Sequence, residues 1–205
     1  MKRMLWLLLL SLALPTAVFA DSVDFTNSEG TLSGTNAGLS LSNSTLIAIN
    51  GLGGMGLVTG NLGTLEFSTA ALTSGSLQMG GTFAAGGSFV ITGNGTNGIP
   101  SGVIFNGSFS GPVTWTLTTL ANGTHNYMLS GALSGSWYTG TGTVFGATVQ
   151  LTINTGKGFF EGTTQISSGD TNITTTAAVP EPGSLTLLGT GLVGLAGYLR
   201  KRKKT

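Results

Sequence analysis

The chain has no cysteine and a single histidine, His125, among its 205 residues. The first absence removes disulfide staples, thiolate nucleophiles and cysteine-based zinc sites together. The two together argue against zinc, whose sites are built chiefly from His and Cys. Charge is scarce too: Asp, Glu, Lys and Arg make up 7 % of the sequence. Of the eight Lys and Arg, Lys2 and Arg3 stand at the start and Arg200, Lys201, Arg202, Lys203 and Lys204 at the end. Only Lys157 lies between them, facing Asp21, Asp24, Glu29, Glu66, Glu161 and Asp170, so the middle of the chain is acidic although the formal net charge is +1. A surface with one lysine cannot neutralise phosphates, which excludes nucleic acid as a partner.

What is present is concentrated at the two ends. Lys2 and Arg3 precede an apolar stretch, Met4–Leu14, which Pro15 breaks. Val18-Phe19-Ala20 then offers a small-residue cleavage site between Ala20 and Asp21. This order reads as a secretory signal peptide over 1–20. At the other end Pro180-Glu181-Pro182 precedes an uncharged run, Leu185–Leu199, and the basic block Arg200–Lys204. As a helix that run would rise about 22 Å, short of a hydrocarbon core of about 30 Å. Ser184 and the snorkelling stems of Arg200 and Lys201 extend it, so one short transmembrane helix is expected over 184–199. Gly189, Gly191, Gly194 and Gly197 are tolerated in lipid, where small residues permit close packing. The bases act as a stop-transfer signal and favour the cytoplasmic side. Each proline fixes its own φ and pushes the residue before it toward extended geometry, so 180–182 is held open to an enzyme.

Pro180, Glu181 and Pro182, the Gly/Leu-rich span and the terminal Arg/Lys cluster together resemble the PEP-CTERM sorting signal of Gram-negative bacteria. The resemblance is confined to this tail. It implies recognition by exosortase, a membrane-embedded processing enzyme, with cleavage near Pro180–Pro182. It also implies transient anchoring in the inner membrane and delivery to the cell surface or extracellular matrix.

The body between the two ends alternates apolar and polar residues. Val149-Gln150-Leu151-Thr152-Ile153-Asn154 and Val113-Thr114-Trp115-Thr116-Leu117-Thr118 each present one apolar face. Shorter alternations occur at Leu39–Leu41, Leu65–Phe67, Leu77–Met79, Phe89–Ile91 and Phe159–Ile166. Such a period of two marks antiparallel strands over a core. Asn-Gly at 50–51, 106–107 and 122–123, and Gly93-Asn94-Gly95, read as tight turns. An all-β fold is expected, an antiparallel β-sandwich or barrel of about ten to a dozen strands. Ile104–Gly111 echoes Met128–Gly135, as two similar strands of one sheet would; a solenoid needs a third copy. The body is expected over 21–171, a spacer over 172–178 and the sorting signal over 179–205.

Several constellations bear on chemistry. Gly51-Leu52-Gly53-Gly54-Met55-Gly56 matches GxGxxG, but no helical pattern follows, so a glycine-rich loop is the better reading. His125 sits beside Asn122-Gly123-Thr124 and is expected to be exposed in a turn rather than to serve as a catalytic base. Glu66, Glu161 and Asp170 are the candidate carboxylates for a glycoside hydrolase, which needs two facing acids about 5–10 Å apart. Trp137 and Tyr138, with Tyr127 nearby, are candidate sugar-stacking residues; adjacent on a strand, they are expected to point to opposite faces. Trp115 belongs to an apolar face and is expected in the core. Thr114, Thr116, Thr118, Thr148 and Thr152 form polar faces that suit strands turned to water. The expectation is a non-enzymatic exported protein with no cofactor and no metal site. Its partners would be exosortase, the membrane before processing and, as the alternative function, exopolysaccharide.

Overall fold

The structure is a computed structural model that describes residues 21–138 and 143–175, with the side chains of 143–148 and of Asp21 and Thr175 outside the description. The signal peptide and its cleavage position at Ala20, Pro180–Pro182, the 184–199 span and Arg200–Lys204 lie outside the described residues. Among the described residues no helix is long and apolar enough to cross a membrane.

The body is all-β. Its strands are β1 (Asp21–Ser28), β2 (Thr31–Thr35), β3 (Gly38–Asn50), β4 (Val58–Ser68), β5 (Leu72–Ser76) and β6 (Gly80–Phe83). They continue as β7 (Gly86–Asn94), β8 (Ser101–Phe109), β9 (Val113–Thr119) and β10 (His125–Trp137). The last are β11 (Thr143–Asn154), β12 (Thr163–Gln165) and β13 (Ser168–Thr175). All belong to one 13-stranded sheet. The path β11-β13-β1-β3-β4-β7-β8-β10 is closed by the pairing of β10 with β11, so the sheet forms a barrel. Closure removes free edges within the ring. Strands β9, β6 and β5 extend from β10, and β2 and β12 from β3.

Two long strands make this arrangement work. One edge of β10 pairs along β11 from Asn126–Asn154 to Ser136–Thr143. Its other edge is shared: His125–Ser130 pairs with β9, and Leu133–Trp137 with β8. Strand β3 divides similarly, its first half pairing with β2 and its second with β1. Its register against β4 slips between Leu41 and Ser44 and again between Leu46 and Ala48. The first slip gives β3 one extra residue against β4, and beside the second β3 has one extra residue against β1, between Leu46 and Ala48; each extra residue flips the inward parity. Leu39 and Leu41, then Leu46, then Ile49 are therefore all buried although their spacing is not a simple period of two, and Ile47 is left outside. Asn43, at the first slip, has φ of 56°.

The alternation expected in β9 and β11 is observed. Val113 and Trp115 are buried between exposed threonines, as are Val149, Leu151 and Ile153 between Gln150, Thr152 and Asn154. Other readings are corrected. Asn106-Gly107 is not a turn but the middle of β8, where Gly107 pairs with Gly135. Leu77–Met79 is a turn between β5 and β6, and Phe159–Ile166 is irregular apart from the short β12. Asn172–Thr175 is not spacer: it completes β13 against β1, with Ile173 fully buried. The similar segments 104–111 and 128–135 lie in neighbouring strands, β8 and β10, and face each other over 107–109 and 133–135.

The core contains two aromatic groups. Phe67, Phe89, Phe105 and Phe109 sit on β4, β7 and β8 with ring centroids 5.9–6.2 Å apart. Trp115 and Tyr127 stack at 4.9 Å on β9 and β10, with Phe160 against them. The second group also holds the loops above it. Trp115 Nε1–H donates to Leu77 O at 2.8 Å, and Tyr127 Oη–H donates to Gln78 O at 2.7 Å. The Tyr127 hydroxyl in turn accepts from the Phe160 N–H at 3.1 Å. Tyr127→Phe keeps the ring but strands a buried donor and an acceptor, so it should cost about 2 kcal/mol. Urea unfolding with unchanged m is the measurement; a midpoint equal to the parent's would refute this role for the hydroxyl.

Candidate functional site

The pairing of every ring strand is antiparallel, so successive strands deliver their connections to alternate ends of the barrel. One end receives both ends of the body: Asp21 is paired with Thr175. Strand β3 returns to this end at Asn50, opposite Asp24. The glycine-rich segment follows there as a 3₁₀ turn, Leu52–Gly54, flanked by Gly51 at φ 88° and leading into β4. It is a loop, and no helix opens from it to present amides to a dinucleotide phosphate. Gly51 abuts the Ser22 carbonyl so closely that a Cβ would collide, which explains glycine at that position. The β7–β8 connection lies beside it, with Asn97 Nδ2 donating to Thr59 O at 3.4 Å.

Trp137 and Tyr138 also reach this end, where β10 runs out against Phe105 and Ile104 of β8. Trp137 is half-buried, packed on the core with its ring 6.1 Å from that of Phe25. Tyr138 is 42 % exposed. The strand ends at Trp137, so the alternation that would send the two side chains to opposite faces stops there. Their ring centroids lie 5.6 Å apart at an interplanar angle of 55°. They form a tilted pair rather than two rings on opposite faces.

The candidate acids are not brought together. Glu66 is exposed on β4 opposite Val90, Glu161 is exposed in the loop before β12, and Asp170 is exposed on β13. Asp170 instead has Asp24 as its neighbour, diagonally across the β1–β13 ladder. With Gln150 and Asn172 these two acids border a depression of about 310 Å³ on the outside of the sheet. Both carboxylates are already engaged. Thr26 Oγ1 donates to Asp170 Oδ1 at 3.0 Å, and Asn172 Nδ2 donates to Asp24 Oδ1 and to Ser22 Oγ at 2.9 Å.

His125 is corrected from an exposed turn residue to a buried one, with 8 % of its surface exposed. The turn Asn122-Gly123-Thr124 does form, with Gly123 at φ 80°, but β10 begins at His125 itself. The imidazole stacks on Phe159 at 4.4 Å and its Nδ1 meets Gly158 O at 3.1 Å. A carbonyl only accepts, so Nδ1 carries the proton there. The same carbonyl accepts from Thr155 Oγ1 at 2.6 Å. His125 thus clamps the loop after β11. Sequence reasoning missed it because the signal for burial, Phe159 and Gly158, lies more than thirty residues away.

Outward-facing residues of β9, β10, β11, β13 and β1 form cross-strand rows. Thr114, Ser130, Gln150, Asp170 and Thr26 are successive partners in one of them. Thr114 Oγ1 and Ser130 Oγ lie 2.7 Å apart, and Asn154 Nδ2 donates to Asn126 Oδ1 at 2.7 Å. This face is hydroxyl and amide with few charges.

The body ends at the start of the tail, and the tail decides the assignment. Residues 178–203 match the PEP-CTERM protein-sorting motif. The match coincides with Pro180-Glu181-Pro182, the apolar run and the basic block. The PEP-CTERM motif implies exosortase-dependent sorting of an exported protein, which passes through the membrane to be sorted. No curated protein and no solved structure matches the chain.

Proposed function

We propose that the body is a non-catalytic interaction module displayed at the cell surface or in the extracellular matrix of a Gram-negative bacterium, released there by exosortase cleavage near Pro180–Pro182. The observation that carries this reading is the sorting motif at 178–203 following directly on a closed, disulfide-free barrel. The outer rows of Thr, Ser, Asn and Gln support it. Such side chains exchange hydrogen bonds with water and with polyhydroxylated polymers, and their low charge avoids electrostatic preference for a nucleic acid or a strongly ionic partner. The acids support it as well: Glu66, Glu161 and Asp170 lie on separate elements, and the adjacent carboxylates Asp24 and Asp170 are each held by a neighbouring side chain, Asn172 and Thr26.

Exopolysaccharide binding through Trp137 and Tyr138 is the second reading. Tyr138 is accessible, but a sugar platform needs ring faces in one plane, and 55° between the two rings works against that.

Surface-extracted protein should have an intact mass corresponding to a chain that begins at Asp21 and ends close to Pro180–Pro182. A mass that retains Arg200–Lys204 would overturn cleavage and leave the tail as a permanent anchor. The same preparation should release no sugar from polysaccharide substrates; release would overturn the non-catalytic assignment.

A further inference from the structure

The end of the barrel that receives Asp21 and Thr175 carries exposed apolar side chains next to uncharged loops. Leu57 is 67 % exposed and follows Met55 in a segment, 51–57, without a single charge. The neighbouring connection, 95–100, is also uncharged. Val103 and Tyr138 are exposed beside it, and Trp137 borders them half-buried. Glycines in the 51–57 loop place no side chain over Leu57: a Cβ on Gly53, Gly54 or Gly56 would meet nothing within 4 Å.

We propose that this end is a lipid-contacting surface, on which Leu57, Met55 and Tyr138 rest at the bilayer interface while the tail still anchors the chain. The inference rests on the tail being membrane-inserted before processing. Chain length supplies the argument for lipid as the occupant. Thr175 is the last described residue of β13, and the apolar run starts at Leu185. An extended chain over that interval reaches at most about 35 Å. Every anchored copy therefore holds this end close to the membrane, whatever other proteins are present. Tyr and Trp favour the interface, where one part of the ring is apolar and the other wet, and a small Leu–Met loop adds apolar area without a charge to desolvate.

So small a contact is populated because the tether gives it a high effective concentration. Cutting near Pro180–Pro182 removes the tether, and the body leaves the membrane without a separate release step. The loop is thus a contact that exists only before cleavage.

The test uses the absence of cysteine. Leu57→Cys and Met79→Cys each introduce one thiol; both positions are 67 % exposed, and Met79 lies in the β5–β6 turn, outside the ring that forms this end. The full chain, exported by cells lacking exosortase, is labelled with an environment-sensitive fluorophore and reconstituted in phosphatidylethanolamine–phosphatidylglycerol vesicles. Flotation reports anchoring, and lipids spin-labelled near the headgroup report contact. The expected result is flotation of both variants, with quenching several-fold greater for Leu57→Cys than for Met79→Cys. Equal quenching in floated protein overturns the lipid contact and leaves the sorting assignment intact. Failure to float overturns the anchored state as well. Protein-dependent shielding at Leu57→Cys without quenching by lipid would assign the surface to a second copy of the chain, and also overturns the proposal.

Discussion

Gly135→Val is expected to destabilise the barrel by about 3 kcal/mol, a fall in Tm of roughly 6–12 °C for a body of this size. Gly135 of β10 is paired with Gly107 of β8. A Cβ on Gly135 would meet the Asn106 carbonyl, the Gly107 Cα at 2.6 Å and the Phe105 Cζ at 2.8 Å. Two of these are backbone atoms held by the ladder, so they cannot yield as a flexible side chain would. The Phe105 ring lies over both glycines and supplies the apolar cover that they lack. The device recurs two turns of the pleat away, where Phe109 Cδ1 lies 2.8 Å from a Cβ built on Gly131. Gly111→Ala is the control, since nothing lies within 4 Å of the added atom, and it should change stability by no more than about 0.5 kcal/mol. Equal melting of the two variants would sink the argument that ring-over-glycine packing closes this seam.

The echo between 104–111 and 128–135 reads as two similar strands of one sheet, which β8 and β10 are, but it does not give their register: only 107–109 and 133–135 of the two segments face each other. Strand β9 and residues 149–154 of β11 are legible: Val113 and Trp115, and Val149, Leu151 and Ile153, are buried between exposed neighbours, so the period of two survives there. Strand β3 is not. Its two slips change which parity faces inward, and only Leu39–Leu41 shows as alternation. Closure through β10–β11 is beyond reach, since two neighbours compete for one edge of β10 and only their register decides where each stops. Asn172–Thr175 reads as spacer because strand-forming threonines are also common in linkers; Ile173 at full burial is what separates the two. The sorting tail is legible as a motif because its logic is local. Prolines, an apolar run and a block of bases act in sequence order and need no tertiary partner. The apolar end of the barrel has the opposite character. Leu57, Val103 and Tyr138 are far apart in the chain, and only the antiparallel path brings their elements to the end where Asp21 meets Thr175.

Phe89→Ala is expected to cost about 3–5 kcal/mol, read as a loss of unfolding free energy in urea at constant m. Phe89 is fully buried on β7, stacked on Phe67 at 6.0 Å and edge-on to Phe105 and Phe109 at 6.2 and 6.1 Å. Removing it opens a cavity whose walls are other rings, each fixed by its own strand on β4 or β8. Those strands are locked by ladders on both sides, so the cavity cannot collapse and most of the lost packing stays lost. Phe159→Ala supplies the contrast: that ring is 44 % exposed and stacks on His125 at the surface, so its removal should cost much less. Comparable losses at the two positions would mean that the phenylalanine cluster is not the seat of stability. The consequence reaches function through export. Outside the cytoplasm this body has no disulfide to constrain its unfolded chain, so burial and the closed ladder supply its stability. A loss of that size takes a large share of the 5–15 kcal/mol that folded domains ordinarily hold, roughly a fifth of it or more. It should therefore lower the amount of Phe89→Ala protein recovered from the cell surface, with Pro180–Pro182 and the rest of the sorting tail untouched.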